Sequence, residues 1–228
     1  MSIAEKEAIM SANNKTMAEN QQKVYDAGYA AGQAEGGVDN AQYVTRLNNL
    51  YENAAFPDGY ELVLNVPQLN NTMASAFSAV KGVKKIKIIC NTDGEAVTML
   101  STYRSVNIEV VDLSEFTRAI SSMQQSFYYA QGLREVIGEL DLSSVTSVDR
   151  AFMACTALEE VRIKAGTLSL SISFVNSPLL SDGSIQSIID GLADLTGSET
   201  KTLTLHASIV LTDEQKATIA AKNWTLVQ

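Results

Sequence analysis

The sequence predicts an α/β solenoid, a chain wound into stacked coils, and three observations predict it. The first is a period. An apolar residue is followed four positions later by an aromatic at Met73/Phe77, Met99/Tyr103, Met123/Phe127, Val148/Phe152 and Leu170/Phe174, and these aromatics are 26, 24, 25 and 22 residues apart. A fixed period in the twenties marks one supersecondary unit per repeat. The second is the pattern inside each unit. Leu142, Val145, Val148, Phe152, Cys155, Leu158, Val161 and Ile163 recur at short steps, and Phe127, Ala130, Leu133 and Val136 repeat the spacing. A short strand alternating with a helical or irregular return gives such a series of inward positions. The third is bulk chemistry. The 228 residues are 46% hydrophobic and 19% charged, which suits a folded chain of one or two domains.

The elements follow in chain order. Residues 1–37 are polar and Ala-rich, with Ile3, Met10, Met17 and Val24 at seven-residue steps. That spacing keeps one seam toward a partner helix, as in a coiled coil. The seam is thin, so the alternative is a single helix packed on another protein. Gly28, Gly32 and Gly36 share one face of the same helix and either weaken it or let a second backbone approach. Gly36-Gly37 is a stop and hinge.

Residues 38–72 form a helical N-terminal cap, with Tyr43, Leu47, Leu50 and Ala54 at helical spacing, and then a first strand from Tyr60. Residues 73–180 carry the repeats, an irregular leucine-rich type that is degenerate near Tyr103. Residues 181–228 change register and close the stack. They hold an amphipathic helix on Ile185, Ile188, Ile189, Leu192 and Leu195 stopped by Gly197, and a strand with Leu203 and Leu205 on one face. A helix opened by the Thr212/Gln215 capping box and a last strand from Trp224 follow. Stacked repeats need atypical ends of this kind to hide their last apolar layer.

Charge excludes some function classes. The formal charge is −9, the opposite of what phosphate-neutralising or anionic-membrane binding requires. The N-terminus lacks a basic segment followed by an apolar one, so no secretory signal is expected, and no apolar run is long enough to span a membrane. Cys90 and Cys155 form no CxxC pair and are expected as buried thiols. His206 is the only histidine and cannot build a histidine metal cluster alone. It is expected on the strand face opposite Leu203 and Leu205, at the surface. No P-loop, HExxH or nucleophile elbow occurs. Lys84, Lys85 and Lys87 form a small basic run, either a contact for an acidic partner or a solvated strand edge. Tyr128 and Tyr129 either anchor a protein or glycan ligand or pack between coils.

Asp112-Leu113-Ser114, with Met123…Phe127, and Asp141-Leu142-Ser143, with Ala151-Phe152, Cys155 and Leu158, resemble the BspA-type leucine-rich repeats of bacterial surface proteins. The resemblance covers residues 73–180 and is specific in two repeats. It implies a secreted or anchored adhesin, from which this chain departs at its N-terminus. The Gly28–Gly32 helix and the final segment from Leu211 to Leu226 are similar to segments of phage structural proteins. That second resemblance implies assembly inside a host cell without export.

Together these readings lead to a non-enzymatic phage virion structural protein without a cofactor, displaying a leucine-rich domain for host or virion protein binding. The N-terminal helix, through Ile3, Met10, Met17, Val24, Gly28 and Gly32, would attach it to other virion proteins and form a homo-oligomer, a trimer for preference. Tyr128, Tyr129, Lys85 and Lys87 would face a host surface protein or glycan. No nucleic acid and no membrane span is expected. The alternative is a bacterial leucine-rich adhesin at the cell surface, and a third class is a glycan-active enzyme on a repeat scaffold.

Overall fold

The computed structural model describes residues 60–65, 83–90, 94–99, 103 and 106–228. The expectations for the N-terminal helix, the helical cap, the hinge at Gly36 and the Met73/Phe77 rung lie outside them.

The described chain is mixed α/β with parallel sheets. Strands β1 (Tyr60–Asn65), β2 (Val83–Cys90), β4 (Val110–Phe116), β6 (Glu135–Leu140) and β7 (Glu160–Ile163) form a five-stranded sheet in that order, every pair parallel. Its register advances by a constant step. Lys85 lies beside Val110, Val110 beside Glu135, and Glu135 beside Glu160. Strands β3 (Val97–Thr98) and β5 (Ile120–Ser122) make a second parallel pair.

The return segments are also hydrogen-bonded from one repeat to the next. Met99 N donates to Ser122 O and Tyr103 N to Ser126 O, each at 2.8 Å. Met123 N donates to Ser147 O at 2.8 Å and Phe127 N to Ala151 O at 2.9 Å. Turn backbone that would otherwise be orphaned beside the core is thereby satisfied.

Inward positions line up across repeats because the step is constant. Tyr103, Phe127, Phe152 and Phe174 are fully buried and stack in sequence, with centroid distances of 5.1, 5.1 and 4.8 Å and interplanar angles of 11°, 16° and 26°. That separation is close to the spacing of hydrogen-bonded strands, so each ring sits offset on the ring of the neighbouring repeat. Leu133, Leu158 and Leu180 make a second buried column, and Ile86, Val111, Val136 and Val161 a third. Ala130, Cys155 and Ser177 fill a narrow fourth. Cys155 Sγ donates to Phe127 O at 3.1 Å and Ser177 Oγ to Cys155 O at 3.2 Å. Both cysteines are buried and free, as the sequence predicts. Register shifts interrupt the step at Tyr60/Glu61, Lys87/Ile89, Val97/Thr98 and Glu135/Glu139. In the last, β6 bulges between Glu135 and Glu139, where Gly138 has φ 101 and a Cβ would lie 2.9 Å from the backbone of Leu113 and Ser114.

Helix α1 (Asp182–Gly191) takes the place of a sixth strand. Ser184 and Ser187 lie three apart on one helix face and meet the outer edge of β7. Val161 N donates to Ser184 Oγ at 3.0 Å and Ile163 N to Ser187 Oγ at 3.1 Å. Ser181 N and Ser184 Oγ donate to Glu159 O at 2.9 and 3.0 Å. An open strand edge is thus closed by side chains.

The rest of the chain builds a three-stranded parallel sheet, β8 (Ile172–Phe174), β9 (Lys201–Leu205) and β10 (Trp224–Val227), with helix α2 (Asp213–Ala221) on β10. Thr212 and Gln215 form the expected capping box. The buried Trp224 donates Nε1–H to Ala193 O at 2.9 Å. Two expectations are corrected. α1 ends at Gly191 rather than near Gly197, because Leu192 leaves the helix to bridge Leu168, with Leu168 N on Gly191 O at 2.9 Å and Ala193 N on Leu168 O at 2.8 Å. His206 follows β9 instead of lying on it, and its Nδ1 is 2.8 Å from Ser208 Oγ in a turn.

Candidate functional site

The candidate residues fall on two parts of the repeat region. Lys85 and Lys87 project from β2. Tyr128 and Tyr129 sit in the return segment between β5 and β6.

The lysines meet carboxylates one repeat further on. Lys84 Nζ is 2.7 Å from Glu109 Oε1, Lys85 Nζ 3.8 Å from Asp112 Oδ2, and Lys87 Nζ 2.6 Å from Glu115 Oε1. The pattern continues along the stack. Arg134 bonds Glu159 through two nitrogens at 3.1 and 3.2 Å, and Lys164 pairs with Asp141 at 2.8 Å. β2 pairs with β1 on one side and β4 on the other, so these lysines do not lie on an edge strand, and each has a carboxylate opposite it across the sheet.

Asp112 is the buried member of this set. Burial works to raise its carboxyl, but the hydroxyl and amide of Ser114, with Lys87 and Lys85, together hold it below the ordinary carboxylate range. Its Oδ1 accepts from Ser114 N at 3.0 Å and Ser114 Oγ at 2.6 Å. Asp141 accepts from Ser143 at the same two distances, and Asp194 from Thr196 at 2.9 and 2.7 Å. The Asp-Leu-Ser triplets are therefore local hooks, the first within β4 and the second just after the end of β6, and Asp-Leu-Thr at 194–196 is a third that the repeat pattern did not point to. The Lys164 ammonium and then the Ser143 hydroxyl take the Asp141 carboxyl down to about 2.

Tyr128 and Tyr129 meet edge to face, ring centroids 4.5 Å apart at 89°. Tyr128 is half-buried and Tyr129 exposed. Tyr129 holds φ 60, and Ala154, one repeat later, holds φ 63. Gln125 at φ 55 and Arg150 at φ 51 form the same pair. Sequence reading missed these left-handed positions because none is glycine. The attachment residues Ile3, Met10, Met17, Val24, Gly28 and Gly32 lie outside the described residues.

Among the described residues no group of three or more His, Cys, Asp and Glu is placed to hold a metal ion, and no helix is long and apolar enough to cross a membrane. Burial pushes the Cys155 thiol up to about 12, which leaves it protonated and unreactive. No family model, curated protein or solved structure matches the chain.

Proposed function

We propose that the chain is a non-enzymatic display module, an irregular leucine-rich-repeat solenoid that presents its surface to a binding partner. The observation that supports this reading is the aromatic ladder Tyr103–Phe127–Phe152–Phe174, stacked on a strand register with a constant step. A stack in which each repeat contacts its neighbours is a rigid, extended surface, the use to which such architectures are put. The module is a virion structural component of a phage. Residues 1–37 attach it to other virion proteins and join copies into a homo-oligomer, with the repeats turned toward host surface protein or glycan.

The Asp112-Leu113-Ser114 and Asp141-Leu142-Ser143 hooks favour a second reading, a bacterial leucine-rich adhesin at the cell surface. Purified phage particles separate the two. The first reading expects the chain to co-purify with particles and to be lost from them when residues 1–37 are deleted. Its absence from particles together with surface labelling of intact cells favours the adhesin. Turnover of a host polysaccharide by the purified chain overturns both.

A further inference from the structure

The junctions between repeats are not built alike. Up to β7, neighbouring repeats are joined backbone to backbone, by the strand pairs β2–β4, β4–β6 and β6–β7 and by return bonds such as Tyr129 N to Met153 O at 2.9 Å. After β7 the bonds change kind. Val161 N and Ile163 N end on the hydroxyls of Ser184 and Ser187, and those hydroxyls donate in turn to Glu159 O at 3.0 Å and Ile163 O at 3.3 Å. In the return segment Ala154 N donates to Asn176 Oδ1 at 3.3 Å, and Ser177 Oγ to Cys155 O at 3.2 Å. Apart from the connecting turn itself, the backbone bond that crosses this seam among the described residues is Ser181 N to Glu159 O at 2.9 Å. The step is irregular there as well. Phe174 follows Phe152 by 22 residues, and their rings are tilted by 26°, the widest angle in the ladder.

What lies beyond the seam is bound to itself. β8, β9 and β10 pair with one another, and Leu168 N on Gly191 O and Ala193 N on Leu168 O tie the start of this part to the end of α1. Lys222 Nζ donates to the carbonyls of Ile189, Asp190 and Leu192 at 3.0, 3.0 and 2.8 Å. Asn223 Nδ2 donates to those of Leu195 and Ser198 at 3.1 and 2.9 Å, and Trp224 Nε1 to that of Ala193. Three consecutive side chains thus clasp the end of α1 and the loop after it. The chain enters this part through an exposed turn at residues 164–166, where Gly166 holds φ 71 with open space around it.

We infer that residues 166–228 are a hinged C-terminal unit, which swings off the stack as one folded body and uncovers the outer edge of β7. Buried apolar side chains continue across the seam as they do across the other junctions, so packing does not set it apart. The polar bonds do. A ladder bond between two backbones is fixed once the strands are, whereas a hydroxyl bond also holds a side chain in one rotamer, and that freedom returns on opening. The groups uncovered, the N–H of Val161 and Ile163 and the carbonyls of Glu159 and Ile163, then pair with water as those of any exposed strand edge do. The open form is a minor state, because it also bares Phe152, Leu158 and Val161. Contiguous units of a protein open in this way at free energies below that of global unfolding.

Cys155 reports the opening, since it is fully buried at the seam with Ser177 of the C-terminal unit against its carbonyl. The test is pulse labelling of the full chain with a thiol reagent, read by peptide mass at a series of urea concentrations below the unfolding transition. Amide exchange is followed under the same conditions. Cys155 and the amides of Val161 and Ile163 are expected to share one protection, at least about tenfold below that of the β6 amides, while β9 and β10 stay as protected as β6. That shared protection should fall with urea less steeply than in β6, because opening the seam exposes less surface than unfolding the chain. Seam groups that follow β6 in both size and slope overturn the inference, as no separate opening then exists. Labelling of Cys155 that does not depend on urea overturns it too, as a local fluctuation. Loss of β9 and β10 protection in step with Cys155 means that the unit unfolds instead of swinging, and overturns it equally.

Discussion

Ala154 holds its backbone at φ 63, a conformation in which a Cβ crowds the following carbonyl at a cost of roughly 1–2 kcal/mol. Glycine removes that cost but gives the unfolded chain more freedom, which returns roughly 0.4–1 kcal/mol. Ala154→Gly is therefore expected to stabilise the protein by about 0.5 kcal/mol, where the same change in ordinary strand or helix backbone destabilises. Thermal unfolding of the variant beside the parent decides the sign. Asp141 gives a pH-dependent case. Its folded carboxyl titrates at about 2 against an ordinary value of 3.8, so its contribution is fully present above pH 4 and is lost as pH falls toward 2. The pair with Lys164 is well exposed, so Asp141→Asn is expected to cost about 0.5–1 kcal/mol at neutral pH. The gap between variant and parent in urea unfolding should narrow below pH 4 and close only near pH 2. A gap that stays constant with pH rules out the charge as its origin.

Helix α1 carries the clearest test at the scale of an element. Its serines occupy the last strand edge, and Ser184→Ala leaves the buried Val161 N–H without its acceptor. An unsatisfied buried donor costs about 1–3 kcal/mol. Amide exchange should show the loss first at Val161, with β9 and β10 unaffected. The helix also shows what local sequence conveys and what it does not. The α2 capping box and the strand at Trp224 were legible because their signals sit within four residues of the structure they specify. The end of α1 was not, because Leu192 continues the apolar periodicity yet is claimed by Leu168, 24 positions earlier. The same distance hid the site chemistry. Lys85 and Lys87 form a basic run in any short window, and the carboxylates that answer them, Asp112 and Glu115, arrive a full repeat later. The buried rungs were legible because the period itself carries them.

For the whole molecule, stability is expected to be distributed along the stack rather than held in one centre. Phe127 lies between Tyr103 and Phe152, so Phe127→Ala removes contacts on two sides and opens a cavity, at an expected cost of about 3–5 kcal/mol. Amide exchange should show the damage concentrated in the strands on either side, β4 to β7, and fading toward β10. A uniform loss of protection from β2 to β10 would mean that the chain unfolds as a single unit.

The constant register has a consequence for chain length. Lys85, Val110, Glu135 and Glu160 are equivalent places on neighbouring strands of the parallel sheet, so removing residues 110–134 carries the chain from one place to its equivalent. Tyr103 would then rest on Phe152, and β2 would lie beside β6. Such a shortened protein is expected to retain cooperative thermal unfolding, whereas a deletion of half that length would throw every later ring out of line. The molecule is thus one whose size changes only in whole rungs, as a ladder is shortened.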